Sequence, residues 1–362
     1  MEYITLKEVC TINMGQSPDS SSYNENEKGI PFFQGNADFG ERYPVTRVWC
    51  NNPTKIAHAG DILISVRAPI GALNYAKETC CIGRGLAAIT PDMEKVSSEF
   101  IFWLLKAKNE ELNLMGTGST FKAIGKKVLE ETQVPNIGSQ QQHEYAANLE
   151  RVNSIIQMRK QELLKLDDLI KARFVEMFGD LADPSCQWEK CKLIDACVNS
   201  DDIKCGPFGT QLGKDEYKED GIAVWEIPQI NSEFKTLPTH FVTEKKAKEL
   251  DAYSIKPGDI AMSRKGNVGR CAVFPAAFEK GIIHSDVLRI RIDDNKALPE
   301  FMMRQLHYSD DVQHQIELVS SGAIMAGINV TKLKQIFIYL PPMELQNKFV
   351  VFVTQVDKSK VI

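Results

Sequence analysis

Apolar residues along this chain fall into two kinds of run. Up to about residue 139, and again over 187–342, they form short blocks separated by Gly, Pro and Asn, as in Gly29–Gly35 and Asp61–Val66. Short apolar blocks bounded by turn residues predict strands with tight connections. Within these stretches, Ser98–Lys108 (SEFIFWLLKAK) and Pro299–Tyr308 (PEFMMRQLHY) place apolar side chains at helical spacing, with Pro299 suited to a first helical turn. The segment joining the two stretches differs. From about Gln140 to Phe178 it holds no Gly or Pro, and Leu149, Ile156, Leu163, Ile170 and Met177 recur every seven residues. Val152 and Leu166 fill a second seam position, which Arg159 and Arg173 interrupt. This imperfect heptad stripe predicts one long coiled-coil helix ending at a Gly179 C-cap. About 38 residues at 1.5 Å give a rod of roughly 57 Å. A helix with one apolar seam needs a partner to cover it.

The whole pattern occurs twice. Gly60-Asp61-Ile62-Leu63-Ile64-Ser65 returns as Gly258-Asp259-Ile260-Ala261-Met262-Ser263, with Gly71 and Gly269 in register. Leu6–Cys10 (LKEVC) returns as Leu193–Cys197 (LIDAC), Gly29-Ile30 as Gly221-Ile222, and Val134-Pro135 as Leu340-Pro341. A repeat spaced about 190–205 residues apart is a whole domain, since solenoid units run only about 20–50 residues. The repeat extends into the helix, where Gln142, Tyr145, Leu149 and Val152 correspond to Gln346, Phe349, Val353 and Val356. Residues 343–362 therefore read as the start of a second spacer helix, one cut short relative to the first. The expected fold class is α+β: two homologous, strand-rich domains at 1–139 and 187–342, joined by a spacer helix at 140–179.

At 362 residues, two domains are the natural division. A net charge of −5 argues against a surface coated in positive charge, yet 43 Lys and Arg leave room for local basic patches. The N-terminus has neither a basic nor an apolar leader region, and no apolar run approaches a membrane span, so a cytoplasmic protein without membrane contact is expected. Nine cysteines without any C-x-x-C pair suggest reduced thiols. Cys186–Cys205 is the only cluster resembling a zinc site, and its spacings are wrong, so no metal is expected.

Catalytic signatures are missing. Gly118–Lys127 (GSTFKAIGKK) has the wrong spacing for a phosphate-binding P-loop, and Gly83-Arg84-Gly85 lacks the third glycine of a dinucleotide fingerprint. No H-E-x-x-H, G-x-S-x-G or Asn/Asp-Pro-Pro-Tyr/Phe string occurs. Pro91-Asp92-Met93-Glu94-Lys95 has a nuclease-like composition with its carboxylates too close together, which fits a solvated turn.

What repeats instead is binding-type loop chemistry. Ser65–Gly71, containing Arg67, matches Ser263–Gly269, containing Arg264, Lys265 and Asn267. Each is a strand end followed by a basic turn able to bring Arg, Lys and backbone amides to phosphates or base edges. An ordinary hairpin with a solvated cation is the alternative. Thr117 and Ser119 lie in a Gly-rich string that matches one containing Ser321 and permits close backbone approach. The amides Gln34, Asn36, Gln229 and Asn231 are of the type that pairs with adenine, although hydrogen bonding at strand ends would use them equally well.

Several strings taken in order resemble the specificity (DNA-recognition) subunit of type I restriction-modification systems. They are Gly258–Gly269 (GDIAMSRKGNVG), Gly206–Leu212 (GPFGTQL), Leu340–Gln346 (LPPMELQ) leading into a helix, and Gly15-Gln16-Ser17-Pro18 followed by Gly29-Ile30-Pro31-Phe32. The resemblance covers essentially the whole chain. It implies two target-recognition domains, each reading one half of a split double-stranded DNA site, with spacer helices paired as an antiparallel coiled coil. It implies no catalysis by this chain. Modification (methyltransferase) subunits carrying S-adenosylmethionine, and ATP- and Mg-dependent restriction subunits reached through them, are the implied partners, with no cofactor on this chain itself. Val134-Pro135-Asn136 departs from the family pattern by lacking the second proline seen at Pro341-Pro342. The second helix, 343–362, is shorter than the first, a further departure from the family pattern. The competing expectation is a coiled-coil scaffold with two protein-binding domains and no DNA role.

Overall fold

The computed structural model describes residues 2–118, 122–181, 183, 186–320 and 327–360. Ser119 and Ser321 lie outside the described residues. The chain divides into two compact units, Met1–Arg159 and Lys160–Ile362, so the boundary falls inside the long helix rather than at either of its ends.

The first unit is built on a four-stranded antiparallel sheet ordered Cys10–Met14, Leu86–Pro91, Ile62–Ser65, Leu73–Tyr75. The repeated Gly-Asp string explains its middle. Ile62 and Ile64 face one core beneath helix Ser98–Ala107, and Leu63 faces a second core with Phe33, Ile82 and Leu86. A strand buried on both faces needs an unbroken apolar run, which is why periodicity alone does not alternate there. Asp61 closes the preceding turn, accepting from the His58 amide at 2.8 Å and the Thr90 hydroxyl at 2.7 Å. A sheet of five short strands lies in the order Tyr23–Asn24, Trp49–Cys50, Ile30–Phe33, Cys80–Ile82, Ile56–Ala57, with Ile30–Phe33 and Cys80–Ile82 parallel. Tyr3–Thr5 pairs with Gln133–Pro135 and ties the two ends of the unit together.

The second unit repeats this plan. Its main sheet runs Ile203–Cys205, Val287–Ile290, Ile260–Ser263, Cys271–Val273, and its second sheet again has one parallel pair, Ile222–Trp225 with Gly281–Ile283. Glu189–Lys192 pairs with Phe337–Leu340. Asp259 closes the same turn through the Lys256 amide and adds a bidentate Arg291 pair at 2.7 Å. The duplicated glutamines have one job. Gln142 accepts from the Ser97 amide and donates to Lys95 and Ile137 carbonyls; Gln346 accepts from the Leu298 amide and donates to Lys296 and Pro341 carbonyls. Each clamps a helix start onto the loop before it.

The long helix spans Ser139–Phe178, and Gly179, with φ of +75°, caps it through its amide to the Val175 carbonyl at 2.8 Å. The second helix, Met343–Ser359, packs on its C-terminal half. The two run antiparallel, since Phe349 meets Phe174 and Phe178 while Lys360 pairs with Asp167 at 2.7 Å. The seven-residue stripe needs correction here. Leu149, Val152 and Ile156 are 46%, 53% and 47% exposed, and Leu163, Leu166 and Met177 are only half-buried. The buried positions are Ile170, Phe174 and Phe178, four apart, against Phe349, Val353 and Val356. A straight helix turns every 3.6 residues, so a seven-residue row drifts out of the contact by about 20° per heptad. The large rings of Phe174 and Phe178 then decide which face is covered.

Among the described residues, no helix is long and apolar enough to cross a membrane. The nine cysteines form no disulfide, and burial pushes the Cys10, Cys80, Cys197 and Cys271 thiols up to about 12.

Candidate nucleic-acid interface

Equivalent positions in the two units follow from strand register. Phe33 pairs with Ile82 as Trp225 pairs with Ile283, and Ser65 opposes Leu86 as Ser263 opposes Val287. The turn bonds agree: the amide of Val66 reaches the Gly85 carbonyl at 2.9 Å, and that of Arg264 reaches the Asp286 carbonyl at 2.8 Å. Thus Gln34 corresponds to Glu226, Arg67 to Lys265, Arg84 to Ser285 and Gly85 to Asp286.

In the first unit, three segments converge on an open cleft of about 310 Å³ lined by Gln34, Asn36, Arg67 and Arg84. Arg67 sits where the strand Ile62–Ser65 leaves the sheet, bridged to Ala123, which also bridges Thr117. Gln34 follows the strand Ile30–Phe33, its amide held by the Asp38 carboxylate at 2.7 Å. Gly85 is required between them, because a Cβ there would stand 2.3 Å from the Gln34 carbonyl oxygen. Gln34, Arg67, Arg84 and Thr117 are all exposed. The sequence suggests three of the four polar side chains on the cleft wall. Arg84 is the one it missed; it lies inside Gly83-Arg84-Gly85, a string read only as a failed nucleotide motif, and its place opposite Gln34 is set by long-range strand pairing.

The counterpart in the second unit is built from different chemistry. Lys265 keeps a cation at the Arg67 position, in an ion pair with Asp286 at 2.8 Å. Glu226 stands where Gln34 does. Its carboxylate meets His240 Nδ1 at 2.7 Å and faces His284 Nε2 at 4.0 Å. The Asp286 amide donates to His284 Nδ1 at 3.2 Å, leaving the ring proton on Nε2, toward Glu226. Tyr217 stacks on His240, and its hydroxyl is pushed up by burial and then by the Glu226 and Asp286 charges. Among the described residues, no group of three or more His, Cys, Asp or Glu side chains is placed to hold a metal ion.

Several expected site residues are placed elsewhere. Gln229 is buried in the short helix Ile227–Asn231, accepting from the Glu226 amide at 3.1 Å and donating to the Leu237 carbonyl at 3.1 Å. It is a cap: where the first unit has the short 3-10 helix Asn36–Asp38, capped by the Asp38 carboxylate on the Gln34 amide, the second has the five-residue helix Ile227–Asn231, capped by Gln229 on the Glu226 amide. Asn231 ends that helix, exposed. Arg264 corresponds to the buried Val66; its Nε donates to the Ile328 carbonyl at 3.2 Å, and its guanidinium lies 5.0 Å from the Phe208 ring centroid. Asn267 lines a separate polar cavity with Arg270, Arg304 and His307.

The fold is duplicated, and polar loop residues follow equivalent strands in both copies. The chain belongs to the type I restriction modification DNA specificity domain family, whose model matches residues 1–167 and 188–362. It is 44% identical over 151 residues to a Methanocaldococcus jannaschii chain assigned as the MjaX type I restriction enzyme specificity subunit, a match covering 42% of this chain and 36% of that one. The chain thus matches little more than a third of the length of that relative. It is 42% identical to the HsdS subunit of Thermoanaerobacter tengcongensis over 43% of this chain and 38% of that one, with a TM-score of 0.40. The S subunit of a type I restriction-modification system from M. genitalium shares the fold over 99% of this chain and 90% of its own, with a TM-score of 0.57 at 16% identity.

Proposed function

We propose that this chain is the sequence-reading subunit of a type I restriction-modification complex, binding double-stranded DNA with one half-site per unit. The observation that carries the reading is the cleft of Gln34, Asn36, Arg67 and Arg84, in a chain of the DNA specificity domain family. Cations on exposed turns fix register on phosphates, and amide and guanidinium groups meet base edges in the major groove. In this reading the long helix and its antiparallel partner form a coiled-coil spacer that sets the gap between half-sites. Half-site centres in this reading stand about one helical turn of DNA apart, roughly 34 Å. The helices also dock the modification subunits. Methyl transfer from S-adenosylmethionine, and ATP- and Mg-dependent cleavage, belong to those partners, while this chain binds and measures.

The test is enrichment of bound duplexes from a random library by the full chain with its modification subunits at moderate salt. The expected result is a two-part motif with an unspecified gap. Equal retention of all sequences would end the proposal.

A further inference from the structure

The residues on the first cleft's wall have register equivalents in the second unit, so the differences between the two sets isolate what each one selects. One position keeps its chemistry: Arg67 and Lys265 are both cations, each carried by the turn after the same strand. A charge retained whatever the sequence being read suits the part of DNA that never varies, its phosphate. Other positions change, three of them in charge or hydrogen-bonding sense. Gln34 becomes Glu226, Arg84 becomes Ser285, and Gly85 becomes Asp286.

The first cleft therefore has two cations and no carboxylate among its lining residues. The equivalent positions in the second unit hold one cation and two carboxylates, and the cation is paired with one of them. A carboxylate facing DNA is repelled by phosphate and is tolerated only where it accepts a hydrogen bond. In the major groove the donors are the exocyclic amino groups of cytosine (N4) and adenine (N6). A guanidinium has the opposite preference and matches the O6 and N7 acceptors of guanine. Glu226 is also aimed rather than loose, with His240 against one oxygen and His284 facing the other.

We propose that Arg67 and Lys265 hold phosphate while the changed positions read bases of opposite hydrogen-bonding sense. Arg84, beside Gln34, takes a guanine edge in one half-site. Glu226 and Asp286 take an amino-bearing base, cytosine or adenine, in the other. This rests on the DNA-reading function proposed above and assigns its specificity-determining residues.

The experiment is the same duplex enrichment, run on the full chain with its modification subunits for wild type, Arg84→Ala, Glu226→Gln and Asp286→Asn. Arg84→Ala should relax a guanine preference about tenfold in one half of the motif and leave the other half intact. Glu226→Gln and Asp286→Asn should each relax or change a cytosine or adenine preference in the other half, and should raise affinity for random duplex. Which amino base is lost distinguishes cytosine from adenine. The inference is overturned if the variants retain the wild-type motif, or if Arg84 and Glu226 affect the same half. A wild-type protein that enriches no motif would instead remove the DNA-reading function itself, and this assignment with it. Asp286→Asn guards against a folding defect specific to Glu226→Gln.

Discussion

At the scale of single residues, the amides show what a sequence conveys and what it withholds. Gln34 and Gln229 are the same residue type in comparable surroundings, yet one lines an open cleft and the other caps a short helix. Residue type was legible, whereas orientation depends on which residue caps the short helix that follows the strand, Asp38 in one copy and Gln229 in the other. Gln142 and Gln346 were legible as a repeat, and their role as clamps is set by long-range bonds to the Ser97 and Leu298 amides. Gln346→Ala would leave one buried amide and two carbonyls unpartnered and should lower stability by about 3 kcal/mol in chemical denaturation. Arg67→Ala should weaken DNA binding about equally for all sequences and reduce the salt slope by about one, read from titrations at several salt concentrations. His307 gives a pH prediction. Burial, then Arg270 and Arg304, hold its imidazole down at about 4, and Nε2 accepts from the Cys271 amide at 3.1 Å, which requires the neutral ring. Its folded value lies below the ordinary one near 6.5, so its contribution is complete above that pH and lost as pH falls toward 4. Unfolding free energy should therefore drop by up to about 1.4 kcal/mol per pH unit in that window, and His307→Gln should flatten the drop.

At the scale of elements, strands and helices were readable where burial is simple. Ile62–Ser65 and Ile260–Ser263 are covered on both faces, so their apolar runs announce them. The helix Ser139–Phe178 announces itself by lacking Gly and Pro and by its Gly179 cap. Its buried face was not readable from a seven-residue count, because helical drift and the placement of Phe301 and Phe349 select Phe174 and Phe178 instead. Phe174→Ala should cost about 3–5 kcal/mol by emptying a packed ring cluster. Leu149→Ala, at an exposed seam position, should cost well under 1 kcal/mol for the isolated chain. Similar losses from both variants in thermal unfolding would mean that the covered face has been misassigned. The candidate site was half legible, since Arg67 and Lys265 lie on repeated turns while Arg84 and Glu226 join them only through parallel strand pairing.

At the scale of the molecule, the proposed function has one fold used twice to read two unlike half-sites, with the long helix making the gap between them a property of the protein. Seven residues inserted after Leu163, outside the stretch covered by Met343–Ser359, lengthen the helix by about 10 Å. The preferred gap should grow by up to about three base pairs in a spacer-length binding series. An unchanged gap would detach the helix from the measurement. The most direct test of the whole account is a methylation map of DNA from cells carrying this chain with its modification subunits, compared with cells lacking only this chain. The account predicts one split motif, two short defined parts around a fixed unspecified gap, that vanishes when the chain is removed. Methylation at a contiguous motif, or a map that stays the same without the chain, would contradict it.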